Sequence, residues 1–195
     1  MLMINNLDKF ANKYKLKSSR LNNFDYSSAG IYFITICTYR HNNFFGKIIN
    51  HQMELSKMGL IVNQCLLDIP KHFKNITLDK YIIMPNHVHI LLHVETPDLA
   101  SLQTSNSKVK IINYSHKNHP DFYKRLNQKS NQLIPKTIQQ FKSAVTHQIN
   151  PKTVFFAWQP SYHNIVIKDQ KQYFIIKNYI KNNVINWERD EYFSR

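Results

Sequence analysis

The sequence predicts an α+β fold in which one antiparallel sheet is backed by helices on one face. Hydrophobic residues make up 43% of the 195 residues and aromatic residues 13%, which is enough for a packed core. Stretches with strand character and stretches with helical periodicity are mixed along the chain. They do not alternate regularly, as they would in a doubly wound parallel sheet, so a two-layer α+β arrangement is the simplest solution.

Six segments rich in β-branched and aromatic residues predict strands, and they span residues 30–40, 44–50, 78–84, 86–95, 154–158 and 162–168. Apolar residues at helical spacing predict three helices, which span residues 55–69, 134–149 and 169–182. Pro70 is expected to end the first helix, and Asp169 is a favourable N-cap residue for the last.

The chain is expected to form a single domain over residues 25–195, preceded by a basic N-terminal arm at residues 1–24. The arm holds five basic residues and one acid with weak periodicity, so it is either a flexible binding arm or a solvated tail. Residues 96–132 are dominated by Asn, Ser, Lys and His, and they predict an inserted basic loop.

The composition excludes several classes of protein. A net charge of +14 suggests a polyanionic partner. Three glycines are too few for a glycine-rich phosphate loop. The two cysteines, Cys37 and Cys65, lie in apolar stretches and are expected to be buried thiols. No apolar run approaches the roughly 20 residues that cross a bilayer, and no signal pattern opens the sequence. A cytoplasmic protein without membrane contact is therefore expected.

The most informative motif is a His-x-His pair on the strand at residues 86–95. Because side chains alternate along a strand, His87, His89 and His93 share one face, while the opposite face is uniformly apolar. Two imidazoles spaced about 6.5–7 Å apart on a rigid element can bind one metal ion. The alternative is a pair of half-exposed strand histidines that bind nothing.

The last helix carries a second candidate pair. Tyr179 and Asn183 are one turn apart at the margin of the apolar stripe formed by residues such as Ile176 and Ile180. A phenol there can act as a nucleophile, and an Asn carbonyl can bind a metal. The alternative for Tyr179 is an ordinary residue at the edge of the core.

Basic and aromatic residues are interleaved over residues 99–168, a stretch that contains ten Lys or Arg residues and one acid, Asp121. This pattern is typical of single-stranded nucleic-acid binding, although a solvated surface is the alternative. The candidate contact residues are Arg20, Lys108, Lys110, Lys124, Arg125, Lys136, Lys142 and Trp158.

Together these residues resemble the REP-associated tyrosine transposases of the HUH single-tyrosine superfamily. The likeness covers the chain from about Arg20 to Phe193. Its most specific carrier is the string Met-Pro-Asn-His-Val-His at residues 84–89, followed by Tyr-x-x-x-Asn at residues 179–183. Further carriers lie at residues 25–26, 30–35, 53–59, 81–83, 141–146, 158–159 and 187.

The resemblance implies a ferredoxin-like core and a Mg²⁺ or Mn²⁺ ion held by His87, His89 and Asn183. It implies that Tyr179 attacks single-stranded DNA near hairpins of palindromic repeats and forms a 5′-phosphotyrosine. Attack by a 3′-hydroxyl on this phosphotyrosine can reverse the step. The resemblance also implies a protein that acts as a monomer or a homodimer in the bacterial cytoplasm, on nucleoid DNA. The sequence does not identify the base that removes the phenol proton.

Three positions depart from the family pattern. Members often carry an acid and a His where this chain has Asn164 and Ile165, and a Pro where it has Val184. These departures leave open a domesticated or inactive relative that only binds single-stranded or hairpin nucleic acid. A zinc hydrolase built on the His-x-His pair is disfavoured, because Glu95 is the one nearby carboxylate in the sequence and no His-Glu-x-x-His signature occurs.

Overall fold

The computed structural model describes residues 25–95, 132–150 and 155–193. The predicted basic arm and nearly all of the predicted insertion lie outside the described residues. The strands are β1 (Gly30–Cys37), β2 (Gly46–Ile49), β3 (Gln52–Leu55), β4 (Ile76–Ile83), β5 (His87–Val94) and β6 (His163–Ile167). The helices are α1 (Lys57–His72), α2 (Leu133–Ile149) and α3 (Gln170–Asn182), and 3₁₀ turns lie at Tyr39–His41 and Trp187–Arg189.

The main sheet is antiparallel and has the strand order β4-β5-β1-β6. Without the small β2-β3 hairpin, the chain order from β1 to β6 is β-α-β-β-α-β, with the first and third of its four strands adjacent at the centre of the sheet. This is the ferredoxin-like arrangement, so the predicted α+β fold class is confirmed. No helix in the described part of the chain is long and apolar enough to cross a membrane.

Helices α1 and α2 cover the apolar face of the sheet. The side chains of this face on β5 are Val88, Ile90, Leu92 and Val94, and all four are buried in one cluster with residues of both helices. Each apolar side chain of this size contributes about 1.5–3 kcal/mol when it is removed from water. This packing directs the histidine-bearing face of β5 to the side of the sheet away from α1 and α2.

Helix α3 lies on that opposite face. The helices therefore occupy both faces of the sheet, whereas the sequence predicted helices on one face. Its buried residues Ile176 and Ile180 pack against Phe33 and Leu91 in a second, smaller cluster. The reason is that β1 is apolar on both faces, as a central strand with helices on both sides requires. Helix periodicity shows which side of a helix is buried but not which face of the sheet receives it.

A polar clamp ties α3 to β4. Asp79 is the extra residue of a β-bulge between Leu78 and Lys80. Its carboxylate accepts hydrogen bonds from Tyr173 Oη at 2.7 Å and Lys177 Nζ at 2.9 Å, both on α3. Burial alone would raise the pKa of Asp79, but the hydrogen bonds from Lys177 and Tyr173 outweigh it and hold the pKa below its ordinary value. The clamp fixes α3 along the sheet.

Most of the predicted elements are present with small shifts at their ends. Helix α3 begins after Asp169, whose carboxylate caps Gln172 N as expected. Pro70 lies within the last turn of α1, which ends at His72 and not at Pro70. Strand β3 was not predicted, since residues 52–55 are short and include two polar side chains.

The predicted strand at residues 154–158 is wrong. Among its described residues, only Trp158 forms a bridge, to Thr38. Strand β6 already occupies the edge of β1 from Ile31 to Thr35, so this segment can pair only beyond the end of β1. Cys37 and Cys65 are free, buried thiols, as expected.

Candidate active site

The two histidines of the motif lie on the face of the sheet that α3 covers. His87 is the first residue of β5, and His89 follows on the same face. Their side chains are 0% and 1% exposed, so they are not half-exposed strand residues. The two Nε2 atoms are 3.1 Å apart. Both imidazoles therefore direct the same nitrogen toward one point.

The other ring nitrogen of each histidine is held by a neighbouring side chain. His87 Nδ1 lies 2.9 Å from Asn86 Oδ1, and His89 Nδ1 lies 2.8 Å from Thr35 Oγ1. Because Asn86 Nδ2 donates to the carbonyls of His41 and Tyr192, its Oδ1 is an acceptor, so His87 carries its proton on Nδ1. His87 Nε2 consequently offers a lone pair. Hydrogen bonding at the outer nitrogen is how proteins orient metal-binding imidazoles.

Burial keeps both imidazoles neutral. It lowers the pKa of His87 to about 3, with a smaller contribution from the charge of His41. It also lowers the pKa of His89 well below its ordinary value, aided by the charge of His87. The neutral ring is the form that binds a metal ion.

Helix α3 brings the predicted tyrosine and asparagine to the same point. Tyr179 Oη lies 3.2 Å from His89 Nε2, and the two ring centroids are 5.1 Å apart. Phe33 supports both rings, because it stacks on His89 at 5.2 Å and meets Tyr179 edge-on at 6.2 Å. Asn183 is the C-cap residue of α3 and is 1% exposed. The structure thus brings together His87, His89, Tyr179 and Asn183, and their catalytic and metal-binding roles stay predictions.

Asp190 completes the cluster and was not predicted. Its Oδ2 accepts a hydrogen bond from Asn183 Nδ2 at 2.8 Å and lies 3.4 Å from Tyr179 Oη. His87, His89 and Asp190 each offer a ligand atom, and these atoms lie within 4.8 Å of one another. Asp190 follows a 3₁₀ turn in a segment without periodicity, so no sequence signal placed it here. A carboxylate eleven residues after a candidate nucleophile was the only available clue.

Residues 187–193 pack over the histidines and account for their burial. The Tyr192 ring lies 4.7 Å from the His87 ring and stacks on His41 at 5.6 Å. Trp187 is buried 6.0 Å from His87. Tyr192 N donates to Asp190 Oδ1 at 2.8 Å, which orients the carboxylate toward the cluster.

The Tyr179 hydroxyl is held in its protonated form. Burial raises its pKa well above the ordinary value, and the charges of Asp190 and Glu191 raise it further. A phenolate here would stand beside an anion in a site of low polarity. A positive charge placed in the cluster would reverse this effect, since it favours the phenolate.

The residues of the cluster fit a divalent metal ion. Two ligands at right angles on an octahedral ion, each about 2.1 Å from it, lie about 3.0 Å apart, close to the 3.1 Å between the two Nε2 atoms. Asn183 Oδ1 is buried and has no hydrogen-bond partner among the described residues, so it is an available ligand. Imidazole, carboxylate and carbonyl groups are a donor set that Mn²⁺ accepts. The described residues therefore contain a site that can hold a divalent metal ion.

Of the eight residues predicted to contact nucleic acid, five lie outside the described residues: Arg20, Lys108, Lys110, Lys124 and Arg125.

Three of the predicted contacts are described. Lys136 is exposed on α2. Lys142 Nζ donates to Gln159 O at 2.6 Å, and Trp158 Nε1 donates to Lys142 O at 3.2 Å. Lys142 and Trp158 thus join the 155–160 segment to α2, and Trp158 packs against the core. Contact of any of these residues with DNA stays a prediction.

Asn164 and Ile165, two of the three positions that depart from the family pattern, lie on β6. Asn164 is buried opposite Ile34, on the face covered by α1 and α2. Ile165 lies opposite Phe33 and packs in the cluster beneath α3. Neither position supplies an acid or a histidine, so Asp190 is the described carboxylate that reaches the site.

No protein-family model matches the chain. An uncharacterized protein of Haemophilus influenzae is 34% identical over 179 residues, which cover 91% of this chain and 92% of that protein. A solved REP-associated tyrosine transposase, bound to a REP hairpin, superposes with a TM-score of 0.55 at 13% identity, over 88% of this chain and 74% of that chain. At this identity the superposition establishes a shared fold.

Proposed function

Because the chain belongs to one family with the Haemophilus influenzae protein and has the fold of the REP-associated tyrosine transposases, we propose that it is a metal-dependent DNA transposase. In this proposal it cleaves and rejoins single-stranded, hairpin-associated DNA through a covalent link to Tyr179. The observation that carries the proposal is the position of the Tyr179 hydroxyl, 3.2 Å from one of two imidazoles that direct Nε2 to a common point.

His87 and His89 would hold Mg²⁺ or Mn²⁺, with Asn183 Oδ1 as the third ligand. The orphaned state of that oxygen and its burial support its assignment. Asp190 lies close enough to contribute to the same ion or to accept a proton beside it. A bound divalent ion supplies charge neutralisation at a phosphodiester, whose negative oxygens otherwise repel an attacking nucleophile.

Tyr179 is the proposed nucleophile. Its oxygen forms a bond to phosphorus as the bond from phosphorus to the 3′-oxygen of the preceding nucleotide breaks, so the products are a 5′-phosphotyrosine and a 3′-hydroxyl. Asp190 Oδ2, 3.4 Å away, is the carboxylate among the described residues that can take the phenol proton, and water protonates the leaving 3′-oxygen. Attack by a 3′-hydroxyl on the phosphotyrosine reverses the step and joins strands.

The proposed partner is single-stranded DNA that carries a hairpin of palindromic repeats. A net charge of +14 supports a polyanionic partner, and the fold neighbour was solved bound to a REP hairpin. Binding through six or more phosphates would weaken by orders of magnitude between about 50 and 200 mM salt. We place the protein in the bacterial cytoplasm on nucleoid DNA, acting as a monomer or a homodimer.

A second candidate is a non-catalytic binder of hairpin or single-stranded nucleic acid. Two observations favour it: positions 164 and 165 on β6 lack the acid and the histidine common in the family, and burial holds the Tyr179 phenol protonated. This candidate retains the DNA partner but not the covalent step.

A covalent-adduct assay separates the two. The protein is incubated with labelled hairpin DNA that has single-stranded flanks, in Mn²⁺ or Mg²⁺, and resolved on a denaturing gel. We expect an adduct that Tyr179→Phe abolishes while DNA affinity changes little. Tyr173→Phe, on the same helix but in the Asp79 clamp, is the matched control and should keep the adduct. An adduct that persists in Tyr179→Phe rejects this nucleophile, and no adduct with any metal favours the binder.

A further inference from the structure

An exposed aromatic pair lies beside the candidate active site and has no role in the proposed chemistry. Tyr39 is 36% exposed and Phe155 is 66% exposed, the largest fraction among the exposed large apolar side chains of the described residues. Their ring centroids are 6.0 Å apart at an interplanar angle of 73°. The Arg40 guanidinium lies 5.1 Å from the centre of the Tyr39 ring. We call these three residues the aromatic platform.

Backbone hydrogen bonds hold the two aromatic residues of the platform next to each other. Tyr39 N donates to Ala157 O at 2.9 Å, and Gln159 N donates to Cys37 O at 2.9 Å, so residues 155–159 run antiparallel to the end of β1. Within this segment the neighbouring aromatic residues have opposite environments. Phe156 is 4% exposed in the core, whereas Phe155 projects into solvent beside Tyr39.

The residues on either side of Tyr39 and Arg40 are hydrogen-bonded to Asn86, which contacts the candidate metal ligand His87. Thr38 N donates to Asn86 O at 2.9 Å, and Asn86 Nδ2 donates to His41 O at 3.1 Å. Asn86 is the residue whose Oδ1 orients His87. Cys37 pairs with His87 across the sheet, so Arg40 lies at most about 10 Å along the chain from that end of the sheet. One strand of B-DNA rises about 3.4 Å per nucleotide and an unstacked strand spans more, so this length covers at most about three nucleotides.

The turn that carries the platform is strained. Arg40 and His41 have φ values of 53° and 54°, in the left-handed region that residues with a side chain rarely adopt. Such residues persist where surrounding hydrogen bonds hold them, and they cluster at ligand-binding sites. In this turn, beyond the end of β1, the Arg40 guanidinium lies over the Tyr39 ring.

We propose that the aromatic platform stacks a base of the single-stranded DNA within about three nucleotides of the phosphate that Tyr179 attacks. This inference rests on the proposed function, because it places the reacting phosphate at the histidine pair. Two aromatic rings and a guanidinium are the groups that bind unpaired bases and the adjoining phosphate without sequence preference. A net charge of +14 favours a polyanion here over a second copy of the same chain.

Photo-cross-linking locates the stacked base. An oligodeoxythymidylate that carries a single 5-iododeoxyuridine is irradiated with the full-length protein, and the cross-linked peptide is identified by mass spectrometry. We expect cross-links to Tyr39 or Phe155. Cross-links that fall only on other peptides would overturn the proposal.

Equilibrium binding tests each member of the platform with the same unmodified oligodeoxythymidylate. We expect Phe155→Ala and Tyr39→Leu to weaken binding by about five- to hundredfold, as loss of a base-stacking ring does. Arg40→Ala should lower the slope of log Kd against log salt by about 0.7, which corresponds to one phosphate contact. Leu67→Ala and Lys71→Ala, both exposed on α1 behind the sheet, are the matched controls and should bind as wild type.

The outcomes separate this inference from the function on which it rests. If wild type forms no covalent adduct but Phe155→Ala still weakens binding, the catalytic proposal fails and the platform stands. If wild type forms the adduct and the platform variants, shown by circular dichroism to be folded, bind like the controls, the platform is rejected alone. Loss of a dimer in Phe155→Ala with unchanged DNA affinity would also reject it, in favour of self-association.

Discussion

The Asp79 clamp makes a quantitative prediction about how α3 is held. Asp79→Asn keeps the shape of the side chain but removes the charge that Tyr173 and Lys177 bind. Hydrogen bonds to charged groups contribute about 1.5–3 kcal/mol when buried, and the exposure of Lys177 reduces this. We expect the variant to lose about 1–2 kcal/mol of unfolding free energy at pH 7. For a chain of this size the midpoint of thermal unfolding should fall by about 3–6 °C.

The pH dependence of this loss identifies its cause. The pKa of Asp79 is lower in the folded protein than in the unfolded chain, where it is about 3.9. Its contribution is therefore fully present above pH 4 and disappears as the pH falls through the folded-state pKa. Urea denaturation of wild type and variant at pH 7 and at pH 3 should show a difference that shrinks at the lower pH.

A matched substitution provides the control for the clamp. Asp68 binds Lys71 at 2.6 Å on the outer surface of α1 and, within the described part of the chain, joins no second element. Asp68→Asn should change the unfolding free energy much less than Asp79→Asn. If the two variants are equally unstable, or if the effect of Asp79→Asn is the same at pH 3 and pH 7, the reasoning about the clamp is refuted.

Two further predictions concern packing and metal binding. Gly59→Ala should destabilise the protein by at least about 1 kcal/mol in urea denaturation, because the added Cβ would lie 2.2 Å from the carbonyl oxygen of Phe45. This loss is expected although Ala favours helix over Gly. A gain in stability would contradict the packing described for α1. His89→Ala should weaken Mn²⁺ binding more than tenfold in isothermal titration calorimetry. The control is His147→Ala, at an exposed position on α2, which should bind Mn²⁺ as wild type does. Equal Mn²⁺ affinities of the two variants would contradict the proposed metal site.

The sequence predicted the fold through features that act locally. Alternation on β5 separates an apolar face from a histidine face, and the same two faces are seen in the structure. Asp169 caps α3 because an Asp before a periodic segment stabilises the first turn wherever that helix packs. These signals depend on neighbours within a few residues, so a single sequence carries them.

The features that the sequence could not supply depend on distant parts of the chain. Asp190 reaches the site only because the chain turns back after Trp187, and no periodicity marks that turn. The aromatic platform requires the segment after Phe155 to pair beyond the end of β1, which depends on β6 occupying the rest of that side of β1. Trp158 was predicted to contact DNA from the interleaving of basic and aromatic residues over residues 99–168; it packs against the core, and its contact with DNA stays a prediction.

The central claim is that one ion site and one tyrosine share the face of the sheet beneath α3. The most direct measurement is anomalous diffraction at the manganese edge from a crystal grown with Mn²⁺. We predict one peak within about 2.3 Å of the Nε2 atoms of both His87 and His89, with the Tyr179 hydroxyl beside it. A crystal in which manganese binds elsewhere, or in which Tyr179 points away from the two imidazoles, would contradict the account.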